Sequence, residues 1–345
     1  MSATEALLRI DGAEGEGGGQ VLRSALSLSM LTGRPFRMDN VRAGRHKPGL
    51  MRQHLTAVRA ACALCRGAVQ GDAVGSRQLE FWPGEVRPGR YEFAVGTAGS
   101  TTLVLQTLLY PLLTAAAPSE IVVEGGTHNP MAPPFEFLHE VYAPLINRMG
   151  PGLDLQLQRP GFAPAGGGRL RASIRPAARL QGLSLLERGE ITRRQARVYY
   201  PGLPGHVAQR ELMRVSARLG WPRTAWRQEK LGDEYGPANL LLLGVASETA
   251  SELVSAFGRR GLPAEAVADR AVDELQRYLN AHVPVGERLA DQLLLALAIA
   301  GEGEFLTLSL SRHTRTQAAL IPRFLPVRVL MEARGEDRTL VRITR

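Results

Sequence analysis

The chain has 345 residues, 44% hydrophobic and 22% charged, with a formal net charge of +9 at neutral pH. That is an ordinary globular composition, long enough for two domains or one large domain with an insertion. Two cysteines exclude a disulfide scaffold, no signal peptide is evident, and the apolar run at 293–300 is too short to span a membrane, so a reducing, cytoplasmic setting without a membrane partner is expected.

Arginine accounts for nearly all the positive charge, with lysine only at 47 and 230. This balance favours a polyanionic partner such as nucleic acid. Cys62 and Cys65 form a lone C-x-x-C inside a helical pattern and read as buried structural residues.

The chain opens with a short strand at 7–10 that enters Asp11-Gly-Ala-Glu-Gly-Glu-Gly-Gly-Gly-Gln-Val-Leu-Arg23. The glycines permit positive φ and close ligand approach, and the helix that follows offers unpaired N–H groups to a phosphate. Glu14 and Glu16 would repel a bare anion, and a divalent cation between carboxylate and phosphate removes that conflict. The helix runs to about residue 31, and a strand is expected at 36–41. A basic loop, Arg42-Ala-Gly-Arg-His-Lys-Pro-Gly49, leads to a helix at 50–65 that carries Arg52, Gln53 and His54 at its start. Strands are expected at 71–82 and 91–95.

At Gly96 the plan restarts. A small-residue loop at 96–100 leads to a helix at 101–117 and a strand at 120–124. The polar loop Gly125-Gly-Thr-His-Asn-Pro-Met-Ala-Pro-Pro134 follows, then a helix at 135–149. The plan recurs near the end: loop 285–287, helix 288–300, strand 305–310, polar loop 311–317 and helix 318–324. Each polar loop carries a histidine, His46, His128 or His313. Helix–strand alternation in three such units argues an α/β architecture with the three loops around one cleft. A Gly/Pro-rich stretch at 161–168 and a strand at 169–175 follow the second unit. Residues 186–279 lack the repeat plan and read as an inserted α/β domain, with strands at 196–200 and 240–246 and helices at 207–219 and 264–279. The division expected is therefore 1–185 with 280–345 for the large domain and 186–279 for the small one.

His313 is the sharpest chemical candidate. Arg312 and Arg315 flank it, and cations beside an imidazole lower its pKa and favour the neutral nucleophile. They also offer donors to phosphate oxygens. Asp291 and Gln292 stand in the first turns of an apolar helix, where a carboxylate can orient a histidine or bind a metal. His128, before Asn129-Pro130, suits a turn, and His46 belongs to a solvated basic cluster.

Together these motifs resemble the RNA 3′-terminal phosphate cyclase family. The match is carried by residues 11–23, Arg42-Ala-Gly-Arg-His-Lys-Pro-Gly-Leu50, Arg52-Gln-His-Leu55, the 125–134 loop, Leu289-Ala-Asp-Gln-Leu293 and His313-Thr-Arg-Thr316, in the family's order over nearly the whole chain. The resemblance implies three repeated βαβαββ-like units with a smaller α/β domain inserted before the last. It implies ATP-dependent conversion of RNA 3′-phosphate ends to 2′,3′-cyclic phosphates through a histidine–AMP intermediate, with ATP and RNA as substrates and Mg2+ or Mn2+ as the metal. By motif position His313 matches the nucleophile and Glu16 the carboxylate associated with the metal. Arg23, Arg42, Arg45 and Gln53 match the phosphate pocket. Gln106, Pro133 and Phe137 match positions around the adenosine, and Asp291 and Gln292 lie close to the nucleotide. The chain departs from the family at Arg288, which stands where an aromatic side chain often meets adenine and would contact the nucleotide by a cation–π-like interaction instead, and at Arg312 and Gln317. Two other readings remain: the family's non-cyclase assembly-factor branch, which lacks the histidine, and an enolpyruvyl transferase of related architecture. The sequence assigns no oligomeric state.

Overall fold

The computed structural model describes residues 7–345, so the first six residues of the expected large domain lie outside the described residues. The first unit runs β1 (Leu8–Asp11), α1 (Gly19–Thr32), β2 (Phe36–Asp39), α2 (Arg52–Cys65), β3 (Ala68–Gln70) and β4 (Leu79–Trp82). Its sheet has the order β1-β2-β4-β3, with β1 and β2 parallel and the other pairs antiparallel. The second unit runs β5 (Arg90–Ala94), α3 (Thr101–Leu113), β6 (Ser119–Gly125), a broken helix of α4 (Phe135–Phe137) and α5 (Ala143–Arg148), β7 (Gly152–Arg159) and β8 (Gly168–Arg175). Its sheet, β5-β6-β8-β7, repeats the same pattern of parallel and antiparallel pairs.

The third unit starts at β9 (Ser184–Leu185) and is then interrupted. The interrupting segment holds β10 (Ile191–Tyr199), α6 (Gly205–Leu219), β11 (Trp226–Glu229), β12 (Leu240–Ser247), β13 (Ser251–Phe257) and α7 (Ala264–Ala281). The unit resumes with α8 (Glu287–Ala300), β14 (Gly303–Thr307), α9 (Arg312–Leu320), β15 (Arg328–Ala333) and β16 (Thr339–Thr344). Here too a parallel pair, β9 and β14, is followed by β16 and then β15. The first strand is split in two: β9 pairs with Glu304 and Phe305, and Val285 returns beside Thr307 of the same partner strand.

The fold is therefore mixed α/β, with one βαβαββ plan used three times and a further four-stranded sheet, β11-β10-β12-β13, inserted in the third. The first helix of each unit is the most deeply set. Leu22, Leu26 and Leu28 of α1, Leu105, Leu108 and Leu112 of α3, and Leu293, Leu294 and Leu297 of α8 are all buried in one core. The sheets wrap this core and alternate apolar-in, polar-out, as in β8. Their outer faces carry cross-strand ion pairs such as Arg37–Glu80 at 2.9 Å and the contact of Arg171 with Glu120. The insert has its own cluster, including Val198, Leu212, Leu241, Val272 and Tyr278.

Several expected boundaries move for identifiable reasons. The 71–82 segment is strand only from Leu79, because Gly71 and Gly75 both take φ near 84° and turn the chain. The helix expected through 117 ends at Leu113, where Thr114 leaves helical geometry. The helix at 135–149 widens into a π-turn over Leu138–Tyr142 just before Pro144, which has no N–H to give the carbonyl of Glu140. The last helix begins at Arg312, not 318: Ser311 caps it, its Oγ accepting from Thr314 N at 3.1 Å. His313 thus sits in a helical first turn. Strands β3, β7, β9, β11, β13, β15 and β16 are additions to the elements expected from the sequence.

Several arginines of the insert are engaged, within it or across to the body. Arg188 is buried over Tyr278, Arg197 pairs with Glu140 at 3.0 Å, and Arg210 pairs with Glu265 at 2.6 Å. Arg193 and Arg194 stand exposed. At the seam with the third unit, Glu252 is buried, and desolvation raises its carboxyl to about 8. A raised folded-state pKa means this contribution to stability is full below the ordinary value of 4.5 and is lost as pH rises through 8. Glu252→Gln keeps the neutral form at all pH. Its thermal midpoint is expected to match the native protein near pH 5 and to exceed it by roughly 5 °C at pH 9. Parallel melting curves across that range would overturn the assignment.

Candidate active site

In each unit the two parallel strands deliver their chains into loops at the same, carboxyl, end of the sheet. Loops in that position are where open α/β sheets bind ligands. The glycine loop follows β1, the basic loop follows β2, and Ser311 and α9 follow β14. The first and second units meet directly: Gln53 Oε1 accepts from Ser100 N at 3.0 Å, and Ser100 bridges to Gly126. The first and third meet where Glu16 N donates to Thr316 Oγ1 at 2.9 Å.

These contacts bring His313 and Glu16 together. His313 Nδ1 lies 3.8 Å from Glu16 Oε2, and Arg45 is in ion-pair contact with the other Glu16 oxygen. The Glu16 carboxylate is 7% exposed, and beyond the Arg45 contact on Oε1 its Oε2 has no hydrogen-bond partner, nor has His313 Nδ1. Such buried, unsatisfied polar atoms are rare and point to a missing ligand or ion. Gly18 leaves room for this group, since a Cβ there would fall among the Glu16 oxygens and within 2.6 Å of Arg45.

His313 is half-exposed, and its pKa lies below the ordinary imidazole value. Desolvation is the largest cause, then the charges of Arg23 and Arg45, with Glu287 opposing. The sequence assigns this effect to the flanking arginines. Arg312 and Arg315 instead project away and are exposed, because helix neighbours one and two residues apart do not share a face.

Deeper in the cleft Arg23 is desolvated to a pKa of about 10 and stays cationic, while Asp291 is raised to about 7 by burial, opposed by Arg23. Gln20 Nε2 donates to Asp291 Oδ2 at 3.1 Å and to Gln317 Oε1 at 2.6 Å, tying α1 to α8 and α9. Asp291 Oδ1 has no partner. Gln106 Nε2 donates to Gln292 Oε1 at 2.6 Å, and Thr102 Oγ1 donates to Pro133 O at 2.9 Å. Gln20, Arg23, Gln106, Pro133, Asp291 and Gln292 line one polar cavity.

Other sequence candidates lie elsewhere or are already engaged. Arg42 donates to the carbonyls of Lys47 and Gly49 at 2.8 and 2.7 Å and so shapes its own loop. Phe137 is 1% exposed in the core and does not line the cleft. Arg288 is clamped by Ser255 and Glu274 of the insert, at 2.9 and 3.0 Å. Glu14 is exposed and turned toward Arg323 at 3.6 Å, so only one of the two glycine-loop glutamates faces His313. His46 is exposed. His128 is buried between Thr127 Oγ1 at 2.8 Å and Glu136 at 3.1 Å, and stacks on Phe162.

Three residues of the site carry no role in the sequence analysis: His54, Gln20 and Tyr110. His54 is buried against Gly19, with Nδ1 accepting from Met51 N at 3.3 Å. Desolvation and then the charges of Arg23, Arg42 and Arg45 press its pKa to about 3, so the ring stays neutral beside the arginines. Its position three residues into an arginine-led helix start is the available signal. Tyr110 donates to Gln292 O at 3.0 Å.

Among the described residues no group of three or more His, Cys, Asp or Glu is placed to hold a metal. A lone buried carboxylate with one oxygen, Glu16 Oε2, left without a partner suits a hard cation that takes its other ligands from phosphate and water. Cys62 and Cys65 are unpaired thiols, both raised by desolvation, Cys62 to about 12. No helix among the described residues is long and apolar enough to cross a membrane.

Comparison with known proteins adds a family context. The family model described as RNA 3′-terminal phosphate cyclase matches residues 14–331. The chain is 52% identical over 323 residues to an RNA 3′-terminal phosphate cyclase of Pseudomonas fluorescens, covering 94% of each chain. It is 50% identical over 329 residues to one from Ectopseudomonas mendocina, covering 95% of this chain and 96% of the relative. To one from Salmonella typhimurium it is 49% identical over 338 residues, covering 98% and 99%.

Proposed function

The chain belongs to the RNA 3′-terminal phosphate cyclase family, and on that premise we propose that it converts RNA 3′-phosphate ends to 2′,3′-cyclic phosphates with ATP, through AMP carried on His313. The observation that carries the covalent route is a neutral, half-exposed imidazole held beside one buried carboxylate and within the field of two arginines.

With Nδ1 turned to Glu16, Nε2 is the nitrogen free to attack. It bonds to the α-phosphorus of ATP as the bond to the β-phosphate oxygen breaks, and pyrophosphate leaves. A 3′-phosphate oxygen of the RNA then attacks the phosphoramidate, and imidazole departs. The neighbouring 2′-hydroxyl attacks the activated 3′-phosphorus, loses its proton and expels AMP as the ring closes. Charge gathers on non-bridging oxygens at each step, so preplaced cations lower each barrier. Arg23 and Arg45 serve this role directly. Arg42 and Gln53 hold the loops, and Gln106, Pro133 and Gln292 line the nucleoside side with Phe137 packed beneath. Asp291, with a pKa of about 7, orients groups around the ribose and phosphate.

Glu16 is the residue that would hold a divalent cation, Mg2+ or Mn2+, which supplies Lewis-acid neutralisation of phosphate charge. Arg288 is engaged with the insert, so the adenine is gripped chiefly from the Pro133 side. Residues 186–279 are then an inserted domain on a catalytic body, and the protein works among the cytoplasm's RNA and ATP.

The test is direct. Purified protein, ATP, a divalent metal and an RNA decamer with a labelled 3′-phosphate are expected to yield an end resistant to phosphatase, with one AMP and one pyrophosphate released per end. An end that stays phosphatase-sensitive under both metals, with the protein folded and RNA-bound, would replace this reading with the assembly-factor one.

A further inference from the structure

α9 presents two adjoining faces. His313 and Gln317, four residues apart, turn toward the cleft already described. Arg312, Arg315, Thr316, Ala319 and Arg323 recur at steps of three and four and turn to the other side. There they form one wall of a second cavity, of about 310 Å³. The opposite wall is Glu14 and Gly15 of the glycine loop, and the floor is apolar: Ile10, Val21 and Leu320.

The charge around this cavity is one-sided. The guanidinium groups of Arg312 and Arg315 are exposed and make no ion pair or hydrogen bond among the described residues. Glu14 is the one carboxylate on the wall, and it is already matched by Arg323 at 3.6 Å. An apolar floor under unspent arginines suits a planar base flanked by phosphates, the chemistry of single-stranded RNA. A solvated basic face alone would have no such floor.

The two cavities stand back to back. Gly15, at φ 64°, presses against Thr316, and Thr316 Oγ1 takes the N–H of Glu16, whose side chain faces His313. Arg312 is the residue next to His313 and stands on the shared rim. A strand whose 3′-phosphate lay at His313 would pass over Arg312 to reach the second cavity.

We propose that this cavity is the subsite for a nucleotide upstream of the RNA 3′ end, its apolar floor holding the base and Arg312 and Arg315 the adjoining phosphates. The proposal rests on the cyclase reading and names how that site grips its polynucleotide. It makes affinity depend on chain length beyond the terminal nucleotide and leaves base identity nearly free, since the floor offers contact without a hydrogen-bond code.

Two variants separate the parts. Ala319→Trp fills the cavity from an exposed helical position, and Arg315→Ala removes one phosphate contact. Binding of a fluorescent RNA decamer bearing a 3′-phosphate is followed by anisotropy at several salt concentrations, with melting curves as a control on folding. Each variant is expected to weaken binding by roughly tenfold. Arg315→Ala is also expected to reduce the salt slope by about 1, and Ala319→Trp to leave the slope alone. Binding of a nucleoside 3′-phosphate, which is too short to reach the cavity, is expected to stay the same. Decamer affinity within twofold of the native protein in both folded variants would overturn the subsite, as would equal losses for the decamer and the nucleoside 3′-phosphate. AMP transfer to the native protein tests the cyclase reading separately, because RNA affinity is read without catalysis.

Discussion

Replacing His313 with alanine is expected to abolish transfer of AMP from ATP to the protein and to lower RNA cyclisation by ~10³-fold or more. None of the three other histidines in the loops and helix starts of the first two units is placed to substitute. His54 is buried with a pKa of about 3 and packed against Gly19, His128 is enclosed by Thr127 and Glu136, and His46 stays in its own loop. The side chain of His313 is half-exposed and its Nδ1 unbonded, so its removal takes little from the fold, and the thermal midpoint is expected to stay within about 2 °C. The check is ATP labelled at the α-phosphate, followed by denaturing gel and by acid and base treatment of the labelled protein. A phosphoramidate is acid-labile and base-stable. Label retained by the alanine variant would move the nucleophile elsewhere, and cyclisation without label would remove the covalent intermediate from the mechanism.

The second large effect is expected at Arg23. Arg23→Met keeps the length of the side chain and removes a desolvated cation, at an expected cost of ~10²- to 10³-fold in the rate of AMP transfer. Loss of a phosphate donor is one part. The other is electrostatic: Arg23 holds down the pKa of Asp291, which burial has already raised to about 7, and also lowers those of His54 and His313. Without it Asp291 moves further up and is neutral through physiological pH. Asp291→Asn should then cost little on the Arg23→Met background while costing much more on its own. A double-mutant cycle on transfer rates reads this directly. Additive losses, within about twofold, would mean that the two residues act independently.

Much of this site is legible in the sequence, because its parts are local chemical signals. The run of glycines before an apolar helix marks a close-approach loop, and Glu16 and Arg23 lie within one stretch of it. The threefold plan shows in the order of loops and helices. What stays hidden depends on contacts between distant segments. Not everything unread is hidden in that way: β7 alternates Leu153, Leu155 and Leu157 with Asp154, Gln156 and Gln158, a legible strand pattern, and β13, β15 and β16, which alternate less strictly, pair with neighbouring strands. The start of α9 is masked by polar residues that look like loop, yet Ser311 caps them into a helix, which puts Arg312 and His313 on different faces. The source of the low His313 pKa is hidden for the same reason: Arg23 and Arg45, remote in sequence, are the cations that matter, and not Arg312 and Arg315 beside it. Arg288 reads as a nucleotide contact until Ser255 and Glu274 of the insert are seen to hold it.

The split first strand of the third unit bears on how the chain comes together in time. Leu8 waits only for Phe36 to find its parallel partner, whereas Ser184 must wait for Glu304. In equilibrium terms the longer closure is cheap, since each doubling of a closed loop costs only about 0.6 kcal/mol. In kinetic terms it is late, because contacts distant in sequence are slow to form. During synthesis the first two units have every strand they need before the insert emerges, and the insert can bury its own cluster before α8 is made. The third sheet closes last. His313, carried by the helix that follows β14, is therefore among the last side chains to reach its place, and the cleft around it is assembled only after the other units have formed.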